Sequence, residues 1–189
     1  RLSEALQRAS DLGLAGIVVH SNMIKLIADW NKVDLSTERL QVVETLHNIR
    51  EQQQSSTWLA LENMPMADNF AIEIDPLFSY PSDFTLLEQT NLGIVWDICH
   101  FTNTIATAKE VFSGKQNKSY YPNLQQAHYT QFTSLLHRIC HWHYSAFIGI
   151  SNPDTSETCK EGVIPTESEL GEEIYRECLL AIPDSNAHM

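Results

Sequence analysis

The stretch LGIVWDICH, residues 92–100, decides the predicted fold, because it is an almost wholly apolar strand that ends near an acidic residue. Three other segments have the same nearly uninterrupted apolar character: LAGIVVH (14–20), TWLALEN (57–63) and RICHWHYSAF (138–147). Strands that are apolar on both faces belong to parallel sheets covered by helices. The four segments therefore predict an α/β protein with a parallel sheet.

Amphipathic segments separate these strands. Apolar residues at helical spacing predict helices over residues 1–12, 35–52, 82–90, 123–138 and 166–182. We expect Ser36 or Thr37 to cap the second helix and Thr166 to cap the last one. Residues 103–120 are polar and are predicted to be irregular. Alternating strands and helices leave a doubly wound sheet or a (β/α)₈ barrel.

The position of the polar residues favours the barrel. His20, Glu62, Asp97 and His143 fall at or near the ends of consecutive strands, where (β/α) barrels assemble their active sites. A nucleotide-binding doubly wound sheet would show a glycine-rich turn, and the sequence contains neither GxGxxG nor GxxxxGK[ST].

The length of the chain limits how much of a barrel it can form. About four strand–helix units are visible, whereas a complete barrel takes ~250 residues. We therefore predict one domain over residues 1–189, a (β/α)₈ TIM barrel that is incomplete at one or both ends. Its first strands would precede Arg1 and its last strand would follow Met189.

Two acids and a histidine on three strand ends predict a metal site. Asp97 ends a nearly wholly buried strand, where an unpaired carboxylate would be costly, so a cation or a hydrogen-bond partner is expected. Together with Glu62 and His143 it forms a ligand set that divalent cations accept: Mn²⁺, Mg²⁺ or Co²⁺, or Zn²⁺ where imidazole dominates. His100, three residues after Asp97, is expected to face the same opening.

Structural roles remain open for each of these residues taken alone. A glutamate at a strand end, such as Glu62, faces either the barrel opening or a structural partner. His141 and His143 share one face of their strand, and one of them could be only a hydrogen-bonded core residue. Tryptophans inside strands are typical of a barrel core, although Trp142, beside His143, could flank a ligand.

Composition excludes several classes of function. The formal net charge of −12, with only 12 Lys and Arg residues, argues against a nucleic-acid partner. Four cysteines without a CxxC pair predict reduced thiols. No apolar stretch approaches the ~20 residues that span a bilayer. These features predict a soluble cytoplasmic protein without a membrane partner and leave a homo-oligomer open.

The segments LGLAGIVVH, LALENMP, LGIVWDICH and HWHYS, in this order and at these intervals, resemble the xylose isomerase-like TIM-barrel superfamily. This group includes sugar isomerases and epimerases, inosose dehydratases and AP endonucleases of the endonuclease IV type. By resemblance, Glu62 is a metal ligand and the acid/base group, and Asp97 and His143 are further ligands. The resemblance also implies that His100 reaches the substrate or a further metal. His20 matches an early strand-end histidine of the family, and we predict His20, His100 and Trp142 to bind the substrate.

Two departures from the family pattern bear on function. Ala146 stands where the family has an aspartate, and no counterpart of its last-strand glutamate is present. The leading hypothesis is a divalent-metal-dependent isomerase or epimerase of a small sugar or polyol. An endonuclease IV-like phosphodiesterase is weaker, because Asp154 lacks the following histidine of that group's Asp-x-His motif. A third hypothesis is a non-catalytic barrel that retains part of the site.

Overall fold

The computed structural model describes residues 1–53, 56–67 and 73–183, so residues 184–189 of the predicted domain lie outside the described part. The α-helices of the described part are α1 (Leu2–Asp11), α2 (Ile27–Trp30), α3 (Leu35–Glu51), α4 (Ile98–Phe112) and α5 (Glu172–Leu180). Its strands are β1 (Gly16–Val19), β2 (Lys25–Leu26), β3 (Trp58–Glu62), β4 (Glu73–Ile74), β5 (Gly93–Asp97), β6 (Ile139–His143), β7 (Ala146–Ile148) and β8 (Lys160–Val163). Short 3₁₀ helices cover Pro81–Gln89, Lys118–Tyr120, Gln131–Leu135 and Pro165–Glu167.

Four parallel strands form the main sheet in the order β1-β3-β5-β6. The register of β5 against β6 places Asp97 beside His143, and that of β3 against β5 places Glu62 beside Val95. Two antiparallel pairs, β2–β4 and β7–β8, stand apart from this sheet. The predicted α/β class and parallel sheet are confirmed. The described residues show this coarser architecture and not a closed eight-stranded barrel.

The largest apolar cluster lies on one face of the main sheet, and Ala60 and Val95 on the other face are buried as well. Leu61, Ile94 and Trp96 are fully buried, and the indole of Trp96 stacks on Phe132 with ring centroids 5.8 Å apart. Side chains alternate along a strand, so the residues between these apolar ones point to the other face. That alternation leaves the polar residues at the strand ends free of the apolar core.

The predicted strand over residues 92–100 is too long, because α4 begins directly after β5. The Asp97 carboxylate accepts a hydrogen bond from the His100 backbone N–H at 2.8 Å and so caps the helix. One residue therefore ends the strand and starts the helix, with no loop between them. This cap also brings His100, in the first turn of α4, to the end of the sheet.

The expectation of irregular structure over residues 103–120 is wrong for its first half, since α4 extends to Phe112. The polar composition of this segment does not predict a helix. The hydroxyl of Thr102 donates back to the Ile98 carbonyl at 2.7 Å, and Thr102, Thr104 and Thr107 are buried. Threonines that bond within a helix in this way can face the core without an unsatisfied group.

Residues 123–138 do not form the predicted helix, and only Gln131–Leu135 is a 3₁₀ helix. The Tyr80 hydroxyl accepts the N–H of Gln125 and donates to its C=O, each at 3.1 Å, and this C=O is one that a helix over 123–138 would use. Phe132 meets the core, with its ring centroid 4.7 Å from that of Phe101. Tertiary contacts therefore override the periodicity. The predicted strand 138–147 is divided into β6 and β7.

Two helix starts also differ from the prediction. Asp34, rather than Ser36 or Thr37, caps α3, and its carboxylate accepts the backbone N–H of Ser36 at 3.1 Å. The last helix starts at Glu172 rather than after Thr166, because Gly171 has φ 79° and interrupts the helical backbone. Among the described residues, no helix is long and apolar enough to cross a membrane.

The β7–β8 hairpin depends on Gly149. This residue has φ 73°, and a Cβ atom there would lie 2.7 Å from the Thr158 carbonyl oxygen. We expect Gly149→Ala to lower the free energy of unfolding by about 1–3 kcal/mol, measured by urea denaturation. Gly114→Ala is the matched control, because Gly114 has φ 82° but no neighbour within 4 Å of that position. Equal losses in both variants would contradict a role for the contact with Thr158.

Candidate metal centre

The ends of three adjacent strands bring together two carboxylates and an imidazole. Glu62 ends β3, Asp97 ends β5 and His143 ends β6, and one ligand atom of each lies within 4.8 Å of the others. Nδ1 of His143 is 2.9 Å from Oε1 of Glu62 and 3.4 Å from Oδ2 of Asp97. The parallel register makes this cluster, because the carboxyl ends of neighbouring strands meet at one edge.

The cluster is buried on the carboxylate side and open on the histidine side. Glu62 is 2% exposed and Asp97 is 5% exposed, whereas the His143 side chain is 38% exposed. The two carboxylate oxygens of Asp97 have different partners: Oδ1 caps α4, and Oδ2 faces His143. Buried carboxylates are costly unless they are paired, so the cluster needs positive charge in this opening.

Two further histidines surround Glu62. Nε2 of His20, at the end of β1, lies 3.2 Å from Oε2 of Glu62. Nδ1 of His100 lies 3.4 Å from Oε1 of Glu62 and 3.8 Å from Oδ2 of Asp97. The structure therefore places both predicted substrate-binding histidines at the cluster.

The structure does not bring Trp142 to the cluster. It lies between His141 and His143 in β6, so its side chain points to the opposite face, where it is buried beside Trp96. His141 shares the face of His143, and its ring stacks on Trp58 with centroids 6.0 Å apart. Trp142 is thus a core residue, and His141 contacts an aromatic ring instead of a carboxylate.

Asn63 is a site residue that sequence reasoning missed. Its side-chain amide accepts the Asp97 N–H at 2.7 Å and donates to the Asp97 carbonyl at 3.0 Å, which joins the ends of β3 and β5. Its own carbonyl lies 2.8 Å from Nδ1 of His100. The signal available in the sequence was its position directly after Glu62, where a polar side chain continues the strand end.

Glu161 is the second missed residue. Its Oε2 lies 3.8 Å from Nε2 of His100. It belongs to β8, a short strand of mixed composition after a polar loop. No apolar run marks that segment, so its position next to the cluster could not be deduced from periodicity.

Proton affinities in the cluster follow from its contacts. The carboxylates of Asp97 and Glu62 raise the pKa of His143 to about 10. Burial opposes ionisation of Glu62, but hydrogen bonds from His143 and His20 outweigh it and hold the pKa of Glu62 below its usual range. In the metal-free protein, the imidazolium of His143 thus supplies the positive charge between the two carboxylates.

This ion pair predicts a pH window of stability for the metal-free protein. The contribution of His143 to the free energy of unfolding is complete below its ordinary pKa of 6.5 and is lost as pH rises through about 10. That of Glu62 is complete above its ordinary pKa of 4.5 and is lost in acid. We expect His143→Gln to lower the free energy of unfolding, measured with urea, most strongly between pH 4.5 and 6.5. Above the pKa of His143 the substitution should cause no loss.

His137→Gln is the control for that series, because His137 forms an exposed pair with Glu88 at 3.2 Å. Exposed ion pairs contribute little, so its effect on unfolding should stay within about 0.5 kcal/mol at every pH. A loss on His143→Gln that does not change with pH would show that the ion pair is not responsible.

The donor set fits a divalent cation. Carboxylate oxygens suit Mg²⁺ and Mn²⁺, and an added imidazole suits Co²⁺ and Zn²⁺. Ligand atoms that now lie within 4.8 Å of one another would have to move closer together to share one cation at bonds of about 2.0–2.2 Å. A ligating imidazole is neutral, so a cation bound here would take the place of the proton on His143.

Comparisons with known proteins add no family to this description. Searches against protein-family models, curated proteins and solved structures each found no match. The geometry of the strand ends is therefore the basis for the functional conclusion.

Proposed function

We propose that this chain is a divalent-cation-dependent isomerase or epimerase that acts on a small sugar or polyol. The observation that carries the proposal is the convergence of Glu62, Asp97 and His143 on adjacent strand ends. The resemblance of the strand-end motifs to xylose isomerase-like barrels supports the same reaction. The proposal includes the finer fold, in which the four-stranded sheet is part of a (β/α)₈ barrel.

The three clustered side chains would hold the cation. A divalent cation at such a site polarises a substrate carbonyl and acidifies the neighbouring C–H bond. Asp97 has no solvent-facing oxygen to spare, since Oδ1 caps α4 and Oδ2 faces His143. Asp97 therefore acts as a ligand alone.

Glu62 can combine two roles because its oxygens have different neighbours. Oε1 faces His143 and His100, on the side of the ligands, whereas Oε2 faces His20. The His20 side chain is 47% exposed, so Oε2 lies toward the open side of the cluster. We assign Oε2 as the base that removes the substrate proton.

Isomerisation moves two protons of the substrate. Glu62 would take the proton from the carbon next to the carbonyl and return it to the former carbonyl carbon, while the hydroxyl proton of the first carbon passes to the carbonyl oxygen. Epimerisation needs in addition a second acid on the opposite face of the carbon, the role of the family's last-strand glutamate. His20 holds Oε2 in place through its hydrogen bond, and this contact with Glu62 raises the pKa of His20.

The test has two stages. Metal content after loading with Mn²⁺, Mg²⁺, Co²⁺ or Zn²⁺ and desalting is measured by mass spectrometry, and we expect one cation per chain. D-Xylose, D-glucose, D-fructose and D-tagatose are then incubated in D₂O. NMR should show deuterium next to the carbonyl of at least one sugar. Retained cation without exchange on any sugar would overturn the isomerase proposal and leave only cation binding.

A further inference from the structure

A pocket with a volume of about 720 Å³ opens between the second half of α4 and residues 126–131. The helix lines it with four residues of one helical face: Ile105, Ala108, Lys109 and Phe112. The first two are buried and form an apolar floor together with Ala127, whereas the last two are exposed at the rim. The pocket thus combines an apolar floor with a cationic and aromatic rim.

This pocket is separate from the candidate metal centre. Asp97 directly precedes α4, and Lys109 follows it after eleven intervening residues, which corresponds to ~18 Å along the helix. The lining residues do not include Glu62, Asp97 or His143. A ligand in the pocket would therefore be held by groups that take no part in the metal centre.

Two hydrogen-bond donors lie side by side at the rim. Nζ of Lys109 is 2.6 Å from the hydroxyl oxygen of Tyr129. An ammonium group only donates, so the oxygen of Tyr129 is the acceptor in this contact and its own hydrogen can be donated elsewhere. The contact also uses only one of the three N–H bonds of the ammonium group. A carboxylate at this point can accept from both groups, one with each oxygen.

The charge around the pocket is positive, although the chain carries a formal net charge of −12. Residues 105–131 contain one glutamate and three lysines: Glu110, Lys109, Lys115 and Lys118. Glu110 pairs with Lys115 at 3.2 Å. In the described part of the chain, no carboxylate pairs with the other two lysines, and Nζ of Lys118 instead lies 5.9 Å from the centroid of the Phe112 ring. Two uncompensated positive charges therefore lie beside the pocket and favour an anion.

We propose that this pocket binds an aromatic carboxylate. Its carboxylate accepts hydrogen bonds from Lys109 and Tyr129, while its ring covers the apolar floor and packs on Phe112. Lys109 and Phe112 are three residues apart on the helix and so are neighbours, which suits a compact ligand. Phe112 is 44% exposed, and stacking of a second ring would remove this apolar surface from water. The inference is independent of the proposed function.

The experiment uses 2-naphthoate and its uncharged counterpart, 2-naphthamide, as probes of the metal-free protein. Removal of metal prevents binding of the carboxylate to a cation. Saturation-transfer NMR titrations measure both affinities, and we expect the wild type to bind naphthoate about fivefold more tightly than naphthamide. Lys109→Met should weaken naphthoate binding about fivefold and leave naphthamide binding unchanged, because it removes the charge and keeps most of the side-chain length.

Two further variants test the other contacts. Tyr129→Phe removes one donor and should weaken naphthoate binding about fivefold. Phe112→Ser removes the ring that the ligand packs on, so it should weaken the binding of both probes about tenfold. Urea midpoints establish that each variant is folded.

The matched controls are Lys160→Met and Leu14→Ser. Lys160 is exposed in β8 and Leu14 is 53% exposed before β1, and neither lines the pocket. Both control variants should bind the two probes as the wild type does. No binding of naphthoate by the wild type at millimolar concentration, or unchanged naphthoate binding by folded Lys109→Met, would overturn the proposal. Equal losses in Lys109→Met and Lys160→Met would also overturn it, because the effect would then come from the net charge of the protein.

Discussion

Glu62→Gln is expected to abolish retention of a divalent cation, with a loss of affinity of more than about 100-fold for Mn²⁺ or Zn²⁺. The substitution keeps the shape of the side chain but removes its charge. Contacts with His143, His20 and His100 all depend on that carboxylate. Changes in residues that merely orient metal ligands cost 10–100-fold, so loss of a ligand should exceed that range. Isothermal titration calorimetry of the apo protein measures the effect.

The natural control for this prediction is Glu88→Gln. Glu88 also faces a histidine, His137, but the pair is exposed and has no second carboxylate. Its replacement should leave cation affinity unchanged within about twofold. Circular dichroism and the urea midpoint establish that the Glu62→Gln protein is folded. A folded Glu62→Gln protein with wild-type affinity would show that the strand-end cluster is not the cation site.

Much of the site could be predicted because it depends on one regular feature. The carboxyl ends of parallel strands meet at one edge, so polar residues at the ends of apolar runs had to come together. Glu62, Asp97 and His143 follow from this rule, and the structure places His20 and His100 beside them. Four of these positions follow from the strand ends alone, whereas His100 reaches the cluster because the Asp97 cap starts α4 directly after β5.

The remaining parts of the site depend on tertiary packing. Glu161 reaches His100 because Phe147 anchors the hairpin on α4, and nothing in the local sequence encodes that distance. Trp142 illustrates the opposite case, since strand alternation alone excludes it from the face of His143. Its assignment as a substrate-binding residue gave more weight to sequence adjacency than to the period of the strand.

The prediction of the fold is most accurate for strands that are buried on both faces of the sheet. β3 and β5 lie within their predicted segments, while α4 was missed because its buried threonines are hydrogen-bonded: Thr102 donates to Ile98 within the helix, and Thr104 accepts the backbone N–H of Met66. The helix predicted over residues 123–138 is absent for the opposite reason. Its periodicity is real, but the Tyr80 hydroxyl occupies the backbone C=O of Gln125 that a helix would use. In both cases, hydrogen bonds that the sequence pattern does not report decide the outcome.

Arg39→Met is expected to destabilise the protein by about 3–5 kcal/mol at neutral pH. Nη2 of Arg39 lies 2.7 Å from Oδ1 of Asp83, and the Asp83 side chain is 2% exposed. The other oxygen accepts the backbone N–H groups of Ser79 and Tyr80 and the amide of Asn123. Removal of one partner from a buried ion pair leaves an uncompensated charge, which accounts for the size of the loss.

The pH dependence separates this charge effect from lost packing of the arginine side chain. Burial already raises the pKa of Asp83, against the opposing effect of Arg39. Without Arg39, the destabilisation should be complete above the raised native-state pKa of Asp83 and should shrink as pH falls towards about 4, the ordinary pKa of the carboxyl. Asp83→Asn in the Arg39→Met background should recover part of the loss at neutral pH.

Arg176→Met, in an exposed pair with Glu173, should change the free energy of unfolding by less than about 0.5 kcal/mol. An Arg39→Met loss that stays constant with pH would attribute the effect to packing and not to the buried charge of Asp83.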